Sequence, residues 1–541
     1  MLALSTGELG REVGVVAAAL AAAGAFLLPG ARPRAVALLC VLVLAPALLA
    51  AEVWATPPLV YLRSAPLVAL GALVVGGAVL AALAAVLLRH PAALAPLALA
   101  ALPLRVPVVT AGQTANLLVP LYLVVGAGGL AYAWARVRPR GPSDPVPRDR
   151  PAGRVEIALV AGILLYAAQA SYSTDFAQAL ENVIFFYLPF ALLLKLLSGL
   201  EWTPRLVKRC LAVLVALALA FVLIGFVEYA TGRLLLNPKV IASNQFESFF
   251  RVNSLFFDPN IYGRFLAIVM LAVTGVVLWA RRPRTVLAAA AVLAVLWAGL
   301  LLTFSQSSFA ALLVGLAVLA AVRWGLRPVA AAGGVAVLAA AAAVLAAPGV
   351  LRLDLGSADA LDRATSGRVG LMGGGLSLWG ERPFLGHGSG SFSERFRARE
   401  EASSETAVAA SHTIPITVGA EQGVVGLAVY LVLLAAAATV LGRGLSGLRD
   451  RGPPAVEVIA RAVAAAAFAA LFVHTLLYAA FLEDPLSWTL LAVALGLGAG
   501  SLPSDRAGRD PGRSAAPRSA ASGGRAGGPL PARTRTGSST R

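Results

Sequence analysis

Charge, cysteine and histidine are all scarce in this chain. Of its 541 residues 13% are charged and 59% hydrophobic, and the mean hydropathy is +0.82. A chain folded in water does not carry that balance, so a lipid bilayer is the solvent the composition calls for. The two cysteines, Cys40 and Cys210, lie in or beside apolar runs, where a thiol packs as a small hydrophobe, which argues against a disulfide framework or a thiolate metal site. No group of His, Cys, Asp and Glu has metal-ligand spacing, no Gly-x-Ser-x-Gly is present, and no carboxylates are paired within the apolar runs; metallohydrolysis and proton-coupled transport lose support. Met1 to Gly10 lacks a basic region and a cleavage site of the signal-peptide kind, so the first helix is expected to stay. The net charge of +17 would suit nucleic acid, but the basic residues fall in short clusters between apolar runs and in the C-terminal tail, where membrane topology explains them better.

What the chain has in abundance is long apolar runs. Taken in order they predict an all-α, polytopic transmembrane helical bundle of about 12 to 15 spans, each near the length a helix needs to cross hydrocarbon. The run Ala92 to Leu104 is short and reads as a re-entrant segment or a brief span. Arg32 with Arg34, Arg89, the run from Arg136 to Arg154, Arg205 with Lys208 and Arg209, Arg281 to Arg284, Arg323 with Arg327, and Arg443 to Arg451 all fall on one side. By the positive-inside rule that side is cytoplasmic. The same alternation puts Ala230 to Asp258 and the long connection 348–412 on the outer face. Residues 1–502 form the expected membrane domain. Residues 503–541 carry eight arginines against Asp505 and Asp510, with almost no large apolar residue, and read as a disordered basic cytoplasmic tail against anionic lipid.

An outer connection of that length needs a reason. It mixes both signs of charge with Trp379, Phe384, Phe392 and Phe396, enough to fold as a cap, with a short amphipathic helix from Arg368 to Trp379 and a glycine-rich turn from Glu381 to Phe392. The glycines do not form a nucleotide loop, because no strand precedes them and no Lys-Ser or Lys-Thr follows. Upstream, Asp258 followed by Pro259 has the form of a helix N-cap with proline at the first helical position. The positive end of that helix, beside Arg251 and Arg264, favours phosphate; the alternative is that the two arginines pair with Asp258 or with lipid phosphate. Among the histidines, His90 lies at an inside turn, His474 reads as a core side chain bonded to a neighbouring helix, and His387 sits between two glycines. His412 stands where the cap meets the entry of a span, either as a simple interfacial residue or as a group able to take a proton near neutral pH.

Several separated pieces together resemble the O-antigen ligase family and the related O-antigen and capsule polymerases, over roughly Ala177 to Leu441. They are Glu228-Tyr-Ala-Thr-Gly-Arg233, Arg251-Val-Asn-Ser-Leu-Phe-Phe-Asp-Pro-Asn260, Leu302-Thr-Phe-Ser-Gln-Ser-Ser308, Gly367-Arg368 with Trp379, Pro383-Phe-Leu-Gly-His-Gly-Ser-Gly-Ser-Phe392, and the stretch from His412 through Glu421 to Gly426.

The resemblance implies a GT-C-type membrane glycosyltransferase, placed in the cytoplasmic membrane, that moves a glycan from a polyprenyl diphosphate carrier to an acceptor hydroxyl on the outer face. It would act without metal or other cofactor. By the same resemblance His412 is the catalytic histidine and Arg251 and Arg368 hold the diphosphate; Arg264, beside the same helix start, is a further candidate contact, and Asp258, Asn260 and Glu421 are expected to support the site. The acceptor, whether glycan, lipid or protein, separates a ligase from a repeat-unit polymerase, and a transporter or flippase of lipid-linked sugars is the alternative of another class. Two positions depart from the family pattern: Gln306 follows Ser305 where many relatives have arginine, and Thr413 follows the histidine in place of asparagine.

Overall fold

The computed structural model describes residues 6–52, 60, 63–110, 113–138, 151–235, 250–346, 368–400, 413–445, 448, 454–478 and 481–499. His412 and the tail from residue 503 lie outside the described residues, as does the side chain of Arg368.

Helices dominate, and ten of those described are long and apolar enough to cross a membrane. The rest of the expected 12 to 15 runs fold into shorter or less apolar pieces. In chain order the first are α1 (Thr6–Leu27), α2 (Ala31–Glu52), α3 (Pro66–Arg89), α4 (Leu94–Ala101), α5 (Val119–Val137) and α6 (Arg154–Ala170). Next come α7 (Phe176–Asn182) and α8 (Leu188–Ser198), joined by a π turn over Val183–Tyr187, then α9 (Pro204–Thr231). The second half holds α10 (Pro259–Trp279), α11 (Pro283–Leu301), α12 (Gln306–Trp324), α13 (Leu326–Ala346), α14 (Arg368–Glu381) and α15 (Phe392–Glu400). It closes with α16 (Ile414–Gly442), α17 (Val456–Leu477) and α18 (Pro485–Ala499).

The short run at Ala92 to Leu104 is α4, too brief to cross a bilayer by itself at about 1.5 Å per residue. It gives way to a two-stranded antiparallel hairpin, β1 (Val106–Thr110) with β2 (Gln113–Leu117), in register from Val106 opposite Leu117 to Thr110 opposite Gln113. The hairpin was not expected from the apolar pattern. Pro103 and Pro107 bar helix there, and the β-branched Val108, Val109 and Thr110 suit a strand.

Two large apolar cores run through the bundle. One gathers α1 to α8, α16 and α18 with parts of α9 and α17; the other gathers α9 to α12 with the rest of α17. Small residues let helices approach closely: a methyl group added at Gly315 of α12 would meet Leu271 of α10, and one at Gly275 would meet Val463 of α17. By contrast α3 leaves Leu67, Leu73, Val74 and Val75 exposed, as a helix facing lipid does.

The informative break is in α16. Its apolar run is continuous in sequence, yet Gly423 has φ 67° and ψ −164°, so the helix stops and restarts within the membrane domain. Backbone groups freed by such a break must find partners, because hydrocarbon offers none. The glycine-rich turn supplies them. His387 N donates to Ala420 O at 3.0 Å, Gly388 N to Glu421 O at 2.9 Å, and Val424 N to Pro383 O at 2.8 Å. Gln169 Nε2 of α6 reaches both Leu385 O and Gln422 O. Gly386, Gly388 and Gly390 all have positive φ, and a Cβ on Gly386 would collide with Glu421 O. The described part of the expected cap, α14, the turn and α15, is pinned to α16 in this way. The Trp379 ring packs against Gly419, where a Cβ would collide with it, and Leu378, Phe392 and Phe396 form a small core with Ala420.

Candidate functional site

Two polar clusters form where α10, α12 and α16 begin and α6 and α17 end, beside the cap.

The first is built on the N-termini of α10 and α12. Asp258 caps α10, its carboxylate accepting from Asn260 N at 2.6 Å with Pro259 at the first helical position, as the sequence predicts. Ser305 caps α12, accepting from Ser308 N at 3.3 Å. The two caps are tied together: Ser305 Oγ donates to Asn260 Oδ1 at 2.8 Å, and Ser308 Oγ to Asn260 O at 3.2 Å. Arg251 joins the pair, its Nε donating to Thr303 O at 3.0 Å and its Nη2 to Asn260 Oδ1 at 3.3 Å. One guanidinium and the positive ends of two helices therefore share one spot.

The loops that hold this arrangement carry backbone strain. Ser254 (φ 51°) and Phe304 (φ 49°) are the two non-glycine residues with positive φ among those described. Ser254 is held there by Glu228, whose carboxylate accepts its N–H at 2.7 Å, and by its own hydroxyl on Phe221 O at 2.9 Å. Such conformations persist only where the surroundings over-determine them, and they gather at functional sites.

Arg264, one turn into α10 and 3% exposed, forms an ion pair with the buried Asp484, which precedes α18. The alternative in which Arg264 pairs with Asp258 is corrected on this point: Asp258 is engaged as the cap, and the chain brings Asp484 to the guanidinium. The Nε and Nη1 of Arg264 have no hydrogen-bond partner among the described residues. Arg105, just before β1, lies within electrostatic reach of Asp484, Arg264 and Tyr478; burial lowers its pKa and the Asp484 carboxylate opposes that. Sequence reading missed both Arg105 and Asp484. The signal available was a lone arginine between two prolines in an otherwise apolar stretch. His474, fully buried in α17, lies with Nε2 3.2 Å from Ser307 Oγ and 3.5 Å from Ser308 Oγ, which is the bond to a neighbouring helix expected of it.

The second cluster lies on the other side of the 481–484 segment, where α6, α7, α16 and the glycine turn enclose a cavity of about 200 Å³. Glu421 is here and not beside Arg251. Its carboxylate accepts from Gly390 N at 2.9 Å and Phe392 N at 3.1 Å, so it clamps the cap to the broken helix. Gln178, Asn182 and Tyr166 form a chain of hydrogen bonds along one wall, Gln178 Nε2 to Asn182 Oδ1 at 3.0 Å and Asn182 Nδ2 to the Tyr166 hydroxyl at 2.7 Å. Asn182 and Tyr187 flank and close the π turn, a kind of helix irregularity that recurs at functional sites.

Of the residues singled out in the sequence, the structure gathers Arg251, Arg264, Asp258 and Asn260 in the first cluster and sets Glu421 in the second. Arg368 opens α14. His412 falls outside the described residues, but Thr413 beside it donates from Oγ1 to Leu476 O at 3.1 Å, at the end of α17 two residues beyond His474. His387, to which no catalysis was assigned, is buried with Nε2 3.0 Å from Leu378 O, and burial lowers its pKa.

Residues 290–431 match the family model described as O-antigen ligase. The matched stretch runs from the middle of α11 into α16. It includes Thr303, Ser305, Ser308, Arg368, His412 and Glu421, while Arg251, Asn260 and Arg264 lie before it. No curated protein matches the chain.

Proposed function

We propose, from the O-antigen ligase domain that this multi-pass membrane protein carries over residues 290–431, that it is a glycosyltransferase. It takes a glycan from a polyprenyl diphosphate and passes it to an acceptor hydroxyl. The observation that supports this reading best is the meeting of Arg251 with the capped N-termini of α10 and α12, through Thr303 O and Asn260 Oδ1. Displacement at the anomeric carbon leaves a diphosphate whose growing charge needs fixed positive groups. A guanidinium and helix N-termini supply them without reorganising at the moment of reaction.

In this reading Arg251 and Arg368 hold the diphosphate, and Arg264, whose Nε and Nη1 have no hydrogen-bond partner among the described residues, adds to the positive field. Asp258 and Asn260 keep the two helix ends in place. Arg251, hydrogen-bonded at Thr303, puts a cation beside the start of α12, where Gln306 leaves none of its own. His412 takes the proton of the acceptor hydroxyl as that oxygen attacks, and the electron pair of the broken C–O bond leaves with the diphosphate. The glycosyl diphosphate already holds the energy of the transfer, so neither nucleotide nor metal is called for. In this reading the end of the bundle that holds the clusters faces outward from the cytoplasmic membrane and the basic tail lies inside, which the positive-inside pattern supports.

The test is transfer in vitro. Purified protein in lipid nanodiscs is given a polyprenyl-diphosphate glycan and candidate acceptors in the presence of EDTA. Arg251→Ala, Arg368→Ala and His412→Ala are each expected to lower the rate by roughly a hundredfold or more. Undiminished transfer by folded variants rejects the site, and transport of the intact lipid-linked sugar without bond cleavage would favour the flippase reading.

A further inference from the structure

The cavity beside the first cluster is built differently from the rest of the membrane domain. Its outer part is lined by polar groups, among them Gln178, Asn182, Thr417, Glu421, Gln422 and Glu483. Its inner part is apolar, with Leu159, Ile163, Val429, Leu433 and Trp488. Two groups on its wall have nothing to do in the structure as it stands. The Tyr430 hydroxyl belongs to a side chain 4% exposed, and it has no hydrogen-bond partner among the described residues. Glu483 forms no ion pair or hydrogen bond with any described residue, and burial pushes its carboxyl up to about 7. A buried hydroxyl left without a partner carries a desolvation penalty, and a half-buried carboxyl carries one when it ionises. Structures that bury polar groups without partners in a cavity commonly do so because a ligand supplies the partners.

The chemistry of that ligand follows from the wall. Among the described residues that line the cavity there is no arginine, lysine or histidine, so these walls disfavour an anion; carboxylates, amides and hydroxyls are what hydrogen-bond sugar hydroxyls. The volume suits one sugar ring, and the apolar inner end suits the first carbons of an attached chain. We propose that this cavity is a saccharide subsite that takes one sugar ring of a lipid-linked substrate, with Glu483 and Tyr430 as its hydroxyl-binding groups and the ring of Trp488 against the apolar chain. This rests on the glycosyltransferase reading for its substrate. Its location is consistent with that reading, because Glu483 is the neighbour of Asp484, the partner of Arg264 in the first cluster.

The test reads binding alone. Wild-type protein in nanodiscs is titrated with an alkyl glucoside brominated on its alkyl chain, and quenching of indole fluorescence is followed. Saturable quenching that disappears in Trp488→Phe assigns the signal to the cavity. Tyr430→Phe and Glu483→Leu are each expected to weaken binding about fivefold to tenfold, the worth of one buried hydrogen bond to a sugar hydroxyl. Both variants remove an unsatisfied group, so both are expected to fold. Affinity unchanged in both, or equal affinity for the brominated alkyl alcohol without sugar, overturns the subsite. Arg251→Ala separates the two proposals: it should abolish transfer and leave glucoside binding as it was. A wild type that binds glucoside but transfers nothing overturns the enzyme reading alone, and one that transfers without binding it overturns the subsite alone.

Discussion

The two polar clusters lie on either side of one short segment, 481–484, and are opposites in charge. Around α10 and α12, Arg105, Arg251 and Arg264 face Asp258 and Asp484, and hydrogen bonds knit the caps, the serines and His474 into one network. Around the break in α16 the ionisable side chains among the described residues that line the cavity are acidic or phenolic, and the buried Tyr430 hydroxyl has no partner among the described residues. The first is thus organised before any substrate arrives, as fixed charge must be if it is to stabilise a leaving diphosphate. The second carries unmet hydrogen-bonding capacity, as a site does that a neutral polyol completes.

The contrast can be broken most severely at the Arg264–Asp484 pair. Asp484→Asn leaves a buried guanidinium without its counter-charge and is expected to cost about 3–5 kcal/mol in thermal or chemical unfolding. The double variant Arg264→Met with Asp484→Leu should recover most of that stability while lowering transfer. A loss just as large in the double variant would mean that packing, and not charge, holds the segment.

A smaller effect is expected at the junction between the clusters. Gly423→Ala places a Cβ on a residue with φ 67° and drives it into Phe384 O, so the cap should separate from α16 at a cost of about 2–3 kcal/mol. Proteolysis within the cap should accelerate in step. Unaltered proteolysis would show that the turn is held by other contacts.

The mildest change is Glu483→Gln. Because burial raises the carboxyl from the usual 4.5 to about 7, the folded state carries a penalty that is absent below about pH 4.5 and complete above about pH 7. The variant should therefore match wild type at pH 4 and gain stability as pH rises, by about 1–2 kcal/mol at pH 8 once partial exposure is discounted. Parallel stability curves would indicate that Glu483 has a partner at all these pH values.

Much of the scaffold was legible in the sequence because its signals are local. The length of the apolar runs gave an all-α membrane bundle, Asp258-Pro259 gave the start of α10, and the sequence pattern gave α14 from Arg368. Gly232, inside one of the motifs quoted, ends α9 in a left-handed conformation as a C-cap glycine does. What was not legible depends on partners far apart in the chain. The break in α16 is hidden in an unbroken apolar run, since glycine at 423 is compatible with helix until the turn at 383–388 competes for its neighbours' backbone groups. The π turn at Val183–Tyr187 is hidden for the same reason. Arg264 could be assigned to Asp258 or to lipid from sequence spacing, because nothing local reveals that Asp484, 220 residues later, comes to it. Glu421 was recognised as supporting the site, but its clamp on Gly390 and Phe392 puts it in the cavity wall and not among the cations.

The central claim is that the clusters divide the substrate, diphosphate to the arginines and sugar to the cavity. Its most direct test is the affinity of a sugar-free, non-hydrolysable polyprenyl methylene-diphosphonate for nanodisc-embedded wild type, Arg251→Gln and Glu483→Leu. Losing one charge-assisted guanidinium contact should weaken binding to Arg251→Gln by roughly tenfold or more, with Glu483→Leu indistinguishable from wild type. Equal affinity in Arg251→Gln, or a loss confined to Glu483→Leu, would contradict the account.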